Sequence, residues 1–267
     1  MRLFSIVFLM LVAVTLQAQE LFVVTEPASN VPAGSISVRV GQSVLQNQEG
    51  GSMYNLAPEV TWGITKDVMI RTSAYLNNMH DGLNLRGGGI YAKYRFLSVD
   101  DLQSHFRMAA FGRYSWNNGI INHEGIDMMG SNTGYEAGIV ATQLLKKIAL
   151  STSLSHARAY DNHQYDFPDL QGSSALNYTF SVGRLMYPKR YTSFKQTNIN
   201  TMLELVGQTI TANGKSYLDI VPSIQFIINS QARIDIAYKK ELYNSMQRFT
   251  SDGIFLKMEY TFFNVTK

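Results

Sequence analysis

Apolar and polar positions alternate strictly on both sides of a short break in residues 58–75. Val60, Trp62 and Ile64 alternate with Glu59, Thr61 and Gly63. Beyond the break at Thr65-Lys66-Asp67, Val68, Ile70, Thr72 and Ala74 alternate with Met69, Arg71, Ser73 and Tyr75. A period of two on either side of a tight polar turn predicts a β-hairpin with one apolar face and one charged face. A variant of the same unit occupies residues 222–238, where Pro222, Ile224, Phe226 and Ile234 stand at the spacing of Pro58, Val60, Trp62 and Ile70. The two prolines, which lack a ladder donor, are expected at bulges or at a rim.

The alternation continues along the chain. Ile36, Val38 and Val40 oppose Ser37, Arg39 and Gly41, and Ile90, Ala92, Tyr94 and Phe96 oppose Tyr91, Lys93 and Arg95. Phe106, Met108, Ala110, Tyr114 and Trp116 form another apolar face. Further alternating runs are GYEAGIVATQLLKKIALSTSLSH, ALNYTFSVG, INTMLELVG and GIFLKMEYTFF. The pattern predicts about twelve strands, with long polar connections after the odd ones and mostly short turns after the even ones. Aromatic residues fall at strand ends, with Trp116, Tyr135 and Tyr178 towards one rim and Trp62, Phe96, Tyr260 and Phe262 towards the other. The predicted fold is all-β: a transmembrane antiparallel β-barrel of outer-membrane type, apolar outside, polar inside and girdled by aromatics. A soluble sandwich or lipocalin-like barrel would instead hide its large apolar residues.

The first residues add an address. One basic residue (Arg2), an apolar run from Leu3 to Leu16 and a small-residue exit at Ala18 read as a secretory signal peptide. The expected division is a signal peptide at 1–19, a periplasmic lead-in with Pro27, Pro32 and Gly34 at 20–34, and the barrel at 35–267. Both termini would then be periplasmic, in the outer membrane of a Gram-negative bacterium. The chain has no cysteine, which excludes disulfides and lipid attachment through that residue. A formal charge of +3 is too small to argue for nucleic acid.

The segment PEVTWGITKDVMI and its echo PSIQFIINSQARI resemble the outer-membrane barrels of the meta-pathway phenol-degradation transporter-like family. The QAQE signal exit and the aromatic last strand look like those of Bacteroidota outer-membrane proteins. The resemblance implies a barrel and solute passage; it brings no defined substrate and no functional residues. Asn264-Val265-Thr266-Lys267 extend past the aromatic pair on which many barrels end.

Inward parity gathers two sets of charges. Arg71, Lys93, Arg95, Arg107 and Arg113 form a basic wall on the third to fifth strands, with no acid among them. Glu204, Asp219, Arg233, Asp235, Lys257 and Glu259 form a mixed wall opposite, with Arg39 beside it. A basic wall in a narrow wet lumen concentrates anions and favours their passage. Inward Tyr75, Tyr91, Phe111 and Phe255 support the alternative, a lumen filled by its own side chains.

An enzyme is not expected. Ser155 and His156 are sequence neighbours and so point to opposite faces, and His80-Asp81 and His123-Glu124 are ordinary loop pairs. Asp161, His163 and Asp166 in one loop, and His123, Glu124, Asp127, Met128 and Met129 in another, supply ligand types for transient metal binding, Asp and His for hard or borderline ions and Met for copper, but without fixed geometry, and no metal site or cofactor is expected. The expected function is passage of small polar or anionic solutes; the alternative is a non-conducting subunit of a larger outer-membrane assembly. The partners on the first reading are outer-membrane lipid, the solutes, the barrel-assembly machinery during insertion, and further copies or subunits.

Overall fold

The computed structural model describes residues 22–266 apart from 48–50, 79–81, 102, 191, 192, 194 and 249. The expected signal peptide and the His80-Asp81 pair lie outside the described residues.

Twelve strands close into one antiparallel barrel, each bonded to its neighbours in sequence, with the last returning to the first. They are β1 Ile36–Asn47, β2 Ser52–Gly63, β3 Val68–Asn77, β4 Asn84–Asp100, β5 Ser104–Asn117 and β6 Thr133–Leu145. The second half is β7 Ile148–Tyr160, β8 Ser174–Tyr187, β9 Asn198–Ile210, β10 Ser216–Ile228, β11 Ala232–Asn244 and β12 Thr250–Phe262. The seam pairs Ile36 with Phe262 and Arg39 with Glu259. Closure removes every sheet edge, which is what a sheet needs in hydrocarbon, where no water can satisfy an open ladder. The strands meet the roughly 9–11 residues that a tilted β-strand needs to span a bilayer.

The amphipathicity is the reverse of a soluble protein's. Val60, Trp62, Ile90, Tyr114, Trp116, Ile139, Leu154, Phe180, Ile236, Ile254 and Tyr260 are exposed on the outside. Arg39, Arg71, Lys93, Glu204, Gln208, Asp219, Gln225 and Asp235 are buried inside. Such an apolar belt around a polar interior suits lipid and would aggregate in water. At Gly88, opposite Trp116, a Cβ would come within 2.6 Å of the indole, so glycine lets that ring lie flat on the wall.

The two proline-led hairpins recur in space as they do in sequence, but their prolines lie within strands and not at a rim. Pairing of β2 with β3 passes from Leu56–Leu76 to Glu59–Ser73, skipping Pro58. Pairing of β10 with β11 likewise passes from Ile220–Lys240 to Ser223–Ala237, skipping Pro222. Each proline keeps a register partner on its other side, Val40 and Leu203. The missing N–H thus leaves a local gap in one ladder only.

Connections 118–132 and 161–173 are long and lie at the end away from the termini. Connections 64–67, 101–103, 146–147 and 229–231 are short and lie at the terminal end. The expected alternation of long and short connections holds only in part: β9 and β11 are followed by five residues each, whereas β8 and β9 are separated by ten at the terminal end.

Candidate functional site: a lumen closed from both ends

The segment read as a lead-in runs inside the barrel. Near the rim its backbone joins β2: Gly34 N–H donates to the Gly63 carbonyl at 2.7 Å, and Gly63 N–H to the Ser35 carbonyl at 3.0 Å. A Cβ at Gly63 would collide with the Pro32 carbonyl oxygen, so only glycine admits this approach. From the other terminus, Val265 donates its N–H to the Gly34 carbonyl at 2.8 Å. Farther in, the segment has no strand to pair with, and its buried amides take their partners from wall side chains.

Most of those partners are charged. Glu204 on β9 accepts the N–H groups of Val23 at 2.9 Å, Val24 at 3.1 Å and Thr25 at 2.7 Å. Lys257 Nζ donates to Val23 O at 2.6 Å, and Lys93 Nζ donates to Pro27 O at 2.8 Å and Ser29 O at 2.6 Å. Thr142 Oγ1 accepts Ala28 N–H at 2.9 Å. Glu26 crosses to Arg71, whose Nη1 lies 2.6 Å from Oε1. Apolar contacts fill the remaining space: Phe22 and Val23 pack with Ala149, Met202, Val221 and Ala237, and Val31 packs with Met69 and Tyr91. Residues 22–35 therefore plug the terminal half of the lumen.

Connection 118–132 closes the other half. Its Ile126 exchanges two hydrogen bonds with the Gln208 side chain on β9, at 2.8 and 2.7 Å. Ile126 and Met128 are buried with Ala157, Ala159, Ala175, Ile210 and Met246. Glu124 latches the loop to the far rim, accepting from Lys215 Nζ at 2.5 Å and Gln247 N–H at 2.8 Å. Burial raises the Glu124 pKa, but these donors outweigh it and hold the carboxyl below its ordinary value. His123 is buried and hydrogen-bonded to Gly125 O; burial lowers its pKa from the ordinary 6.5. Asn162 ties this lid to the next connection, donating from Nδ2 to Gly119 O and Ser131 O, both at 2.9 Å.

Between plug and lid lies a cavity of about 10 Å³ lined by Glu59, Arg71, Ser73, Tyr75, Tyr91 and Arg113. That is room for roughly one water and for no solute.

The basic wall keeps its inward parity, but each member meets oxygen partners that the strand pattern does not show. Arg71 meets Glu26, Arg113 meets Glu136 at 3.1 Å, and Arg107 meets Asp100 at 3.1 Å and Ser29 Oγ at 3.3 Å. Lys93 binds plug carbonyls. Arg95 lies at the rim, bonded to Asp67 and the Lys66 carbonyl, so it caps a turn. On the mixed wall, Arg233 bridges Asp235 at 3.2 Å and Glu259 at 2.7 Å, and Arg39 continues the chain to Glu59. Asp219 sits towards the lid, gripped by both ends of the Arg248 fork. Ser155 faces inward to Glu136, whereas His156 faces outward beside Tyr135, so the two form no catalytic pair.

The strand pattern passed over Glu26, Glu59, Glu136 and Glu124. Glu59 and Glu136 were within reach of the parity rule, being inward positions of alternating strands. Glu26 and Glu124 lie in segments without periodicity and carry no such signal.

No known protein-family profile matches the chain, and no curated protein matches its sequence. Solved structures do. An outer-membrane channel from Pseudomonas putida F1 superposes with a TM-score of 0.59 at 10% identity, over 90% of this chain and 100% of that one. The NanC porin gives 0.48 at 12% identity over 84% and 98%, and the KdgM porin 0.46 at 9% over 85% and 99%. The first likeness establishes the class: this chain has the fold of an outer-membrane β-barrel.

Proposed function

We propose that the protein is an outer-membrane channel for small polar or anionic solutes, held in a closed state. Residues 22–35 are its inner gate and connection 118–132 its outer one. The observation that carries this is how the plug is held. Apart from its junction with β2 and the C-terminal residues, it is bonded to wall side chains and not to the strand ladder, which is complete without it. The plug can leave while the barrel stays whole. Departure would uncover four cations, Lys93, Lys257, Arg71 and Arg107, against one acid, Glu204, and remove Glu26, biasing the opened path towards anions. Periplasmic termini, the lipid and assembly-machinery partners, association with other copies, and membership of the phenol-degradation transporter-like family in a Bacteroidota species belong to the same proposal. Its sequence support is the signal-like start and the two proline-led hairpins.

The test is planar-bilayer conductance of the mature chain and of a shortened chain that lacks residues 22–33 and has residues 119–131 replaced by a short Gly-Ser linker, so that both gates are gone. We expect small, intermittent currents from the first and steady anion-preferring conductance from the second. Silence from the shortened chain, folded by heat-modifiable gel migration, would overturn the channel reading in favour of a non-conducting subunit. The filled lumen is the observation on that side.

A further inference from the structure

The plug carries one acid into the basic side of the lumen, and its setting is that of a bound ligand. Arg71 is 4% exposed at its side chain; its Nε donates to Thr61 Oγ1 at 3.0 Å, leaving Nη1 aimed at Glu26. Tyr91 lies between Arg71 and Arg113, each guanidinium carbon 5.2 Å from the ring centroid, so the ring holds both cations in place. Glu26 is not part of this wall: it arrives from a segment tied to the barrel by other bonds. The cavity beside it is too small for a solute while the plug is in place.

We infer that the Glu26 carboxylate occupies the lumen's own solute subsite, and that a small carboxylate solute opens the gate by replacing it on Arg71. The inference rests on the channel reading and names its substrate class. An oriented guanidinium N–H selects a carboxylate oxygen over a spherical ion by direction as well as by charge. Arg71 Nη1 can meet either the plug's acid or the solute's, so the solute binds only the open form and shifts the population towards it. Thr61 acts here as a positioning residue.

The experiment uses a reporter thiol in a chain that has no cysteine of its own. Ser29→Cys, at a plug position 3% exposed, reacts slowly with a maleimide while the plug is seated. Sodium acetate is compared with sodium chloride and sodium sulfate at equal ionic strength. We expect acetate to speed labelling severalfold over both salts, and Glu26→Gln to speed it about tenfold without acetate, the size expected for losing a charge-assisted bond. Arg71→Gln should abolish the acetate response. Equal acceleration by all three salts would reduce the effect to screening and overturn the inference; so would unchanged labelling in Glu26→Gln. If Arg71→Gln does not fold, the acetate and Glu26→Gln arms decide by themselves, since both leave the barrel wall untouched. Conductance recorded in parallel separates the two readings. Labelling that responds in a chain that never conducts removes the channel and keeps the subsite; conductance without an acetate response removes the subsite alone.

Discussion

The barrel wall is regular strand and the plug is bent, irregular backbone, and the two are held by different groups. In the wall every strand satisfies its neighbour through a closed ladder, gapped beside Pro58 and Pro222 and shifted at bulges nearer the rims. In the plug, Val23, Val24, Thr25, Pro27, Ala28 and Ser29 find their partners on Glu204, Lys93, Lys257 and Thr142. A ladder is lost only with the sheet; a set of side-chain bonds can be exchanged for water or for a solute. The difference separates what must stay from what can move.

That contrast can be broken most severely in the wall. Val206→Pro, in the middle of β9 with partners on both sides, removes a ladder donor where the wall has no gap to receive the ring, and should give the largest loss of heat-modifiable barrel on gels. Glu204→Ala should spare the barrel and free the plug. Three plug amides lose one shared acceptor, at roughly 1–3 kcal/mol for each group left unsatisfied, and proteolysis of the segment reports the release. Lys93→Met removes two donors to plug carbonyls and should loosen it less, by about 2 kcal/mol, on the same readout. The lid's latch is weaker still. Lys215 is 43% exposed, so Glu124→Gln should cost about 0.5–1 kcal/mol and show as more frequent brief openings in single-channel records.

Acidity sharpens the comparison of plug with lid. His123 is neutral in the closed lid with its pKa depressed by burial, facing Asp127 and Arg248. The closed form therefore binds fewer protons than the open one. Its stability is complete above about 6.5 and declines as the pH falls below that value. Glu124, whose carboxyl is held below its ordinary range, keeps its latch through the same window. Open probability should rise from pH 7.5 to pH 5, and His123→Gln should flatten the change; a profile unaltered by that substitution would free the lid of any link to this residue.

Much of the wall was legible. Inward Arg71, Lys93, Arg107 and Arg113, and the matching of Pro58 with Pro222, follow from a period of two, because one side of each strand meets lipid and the other does not. What these side chains touch was not legible. Arg95 obeys the same alternation as Lys93, yet it reaches the turn at Asp67 because β4 runs past the rim there, with a bulge between Arg95 and Leu97. Glu26 gave no sign at all, since an irregular segment has no face for a pattern to mark.

The sequence by itself determined the closed sheet, its apolar outside and the inward side of its basic residues, since alternation along a strand is a local property fixed by the pleat. Only the tertiary structure decided that the lumen is shut. A plug and a lid bring together residues far apart in the chain, such as Thr25 with Glu204 and Glu124 with Gln247, and no local pattern records where an aperiodic segment finds its hydrogen-bond partners.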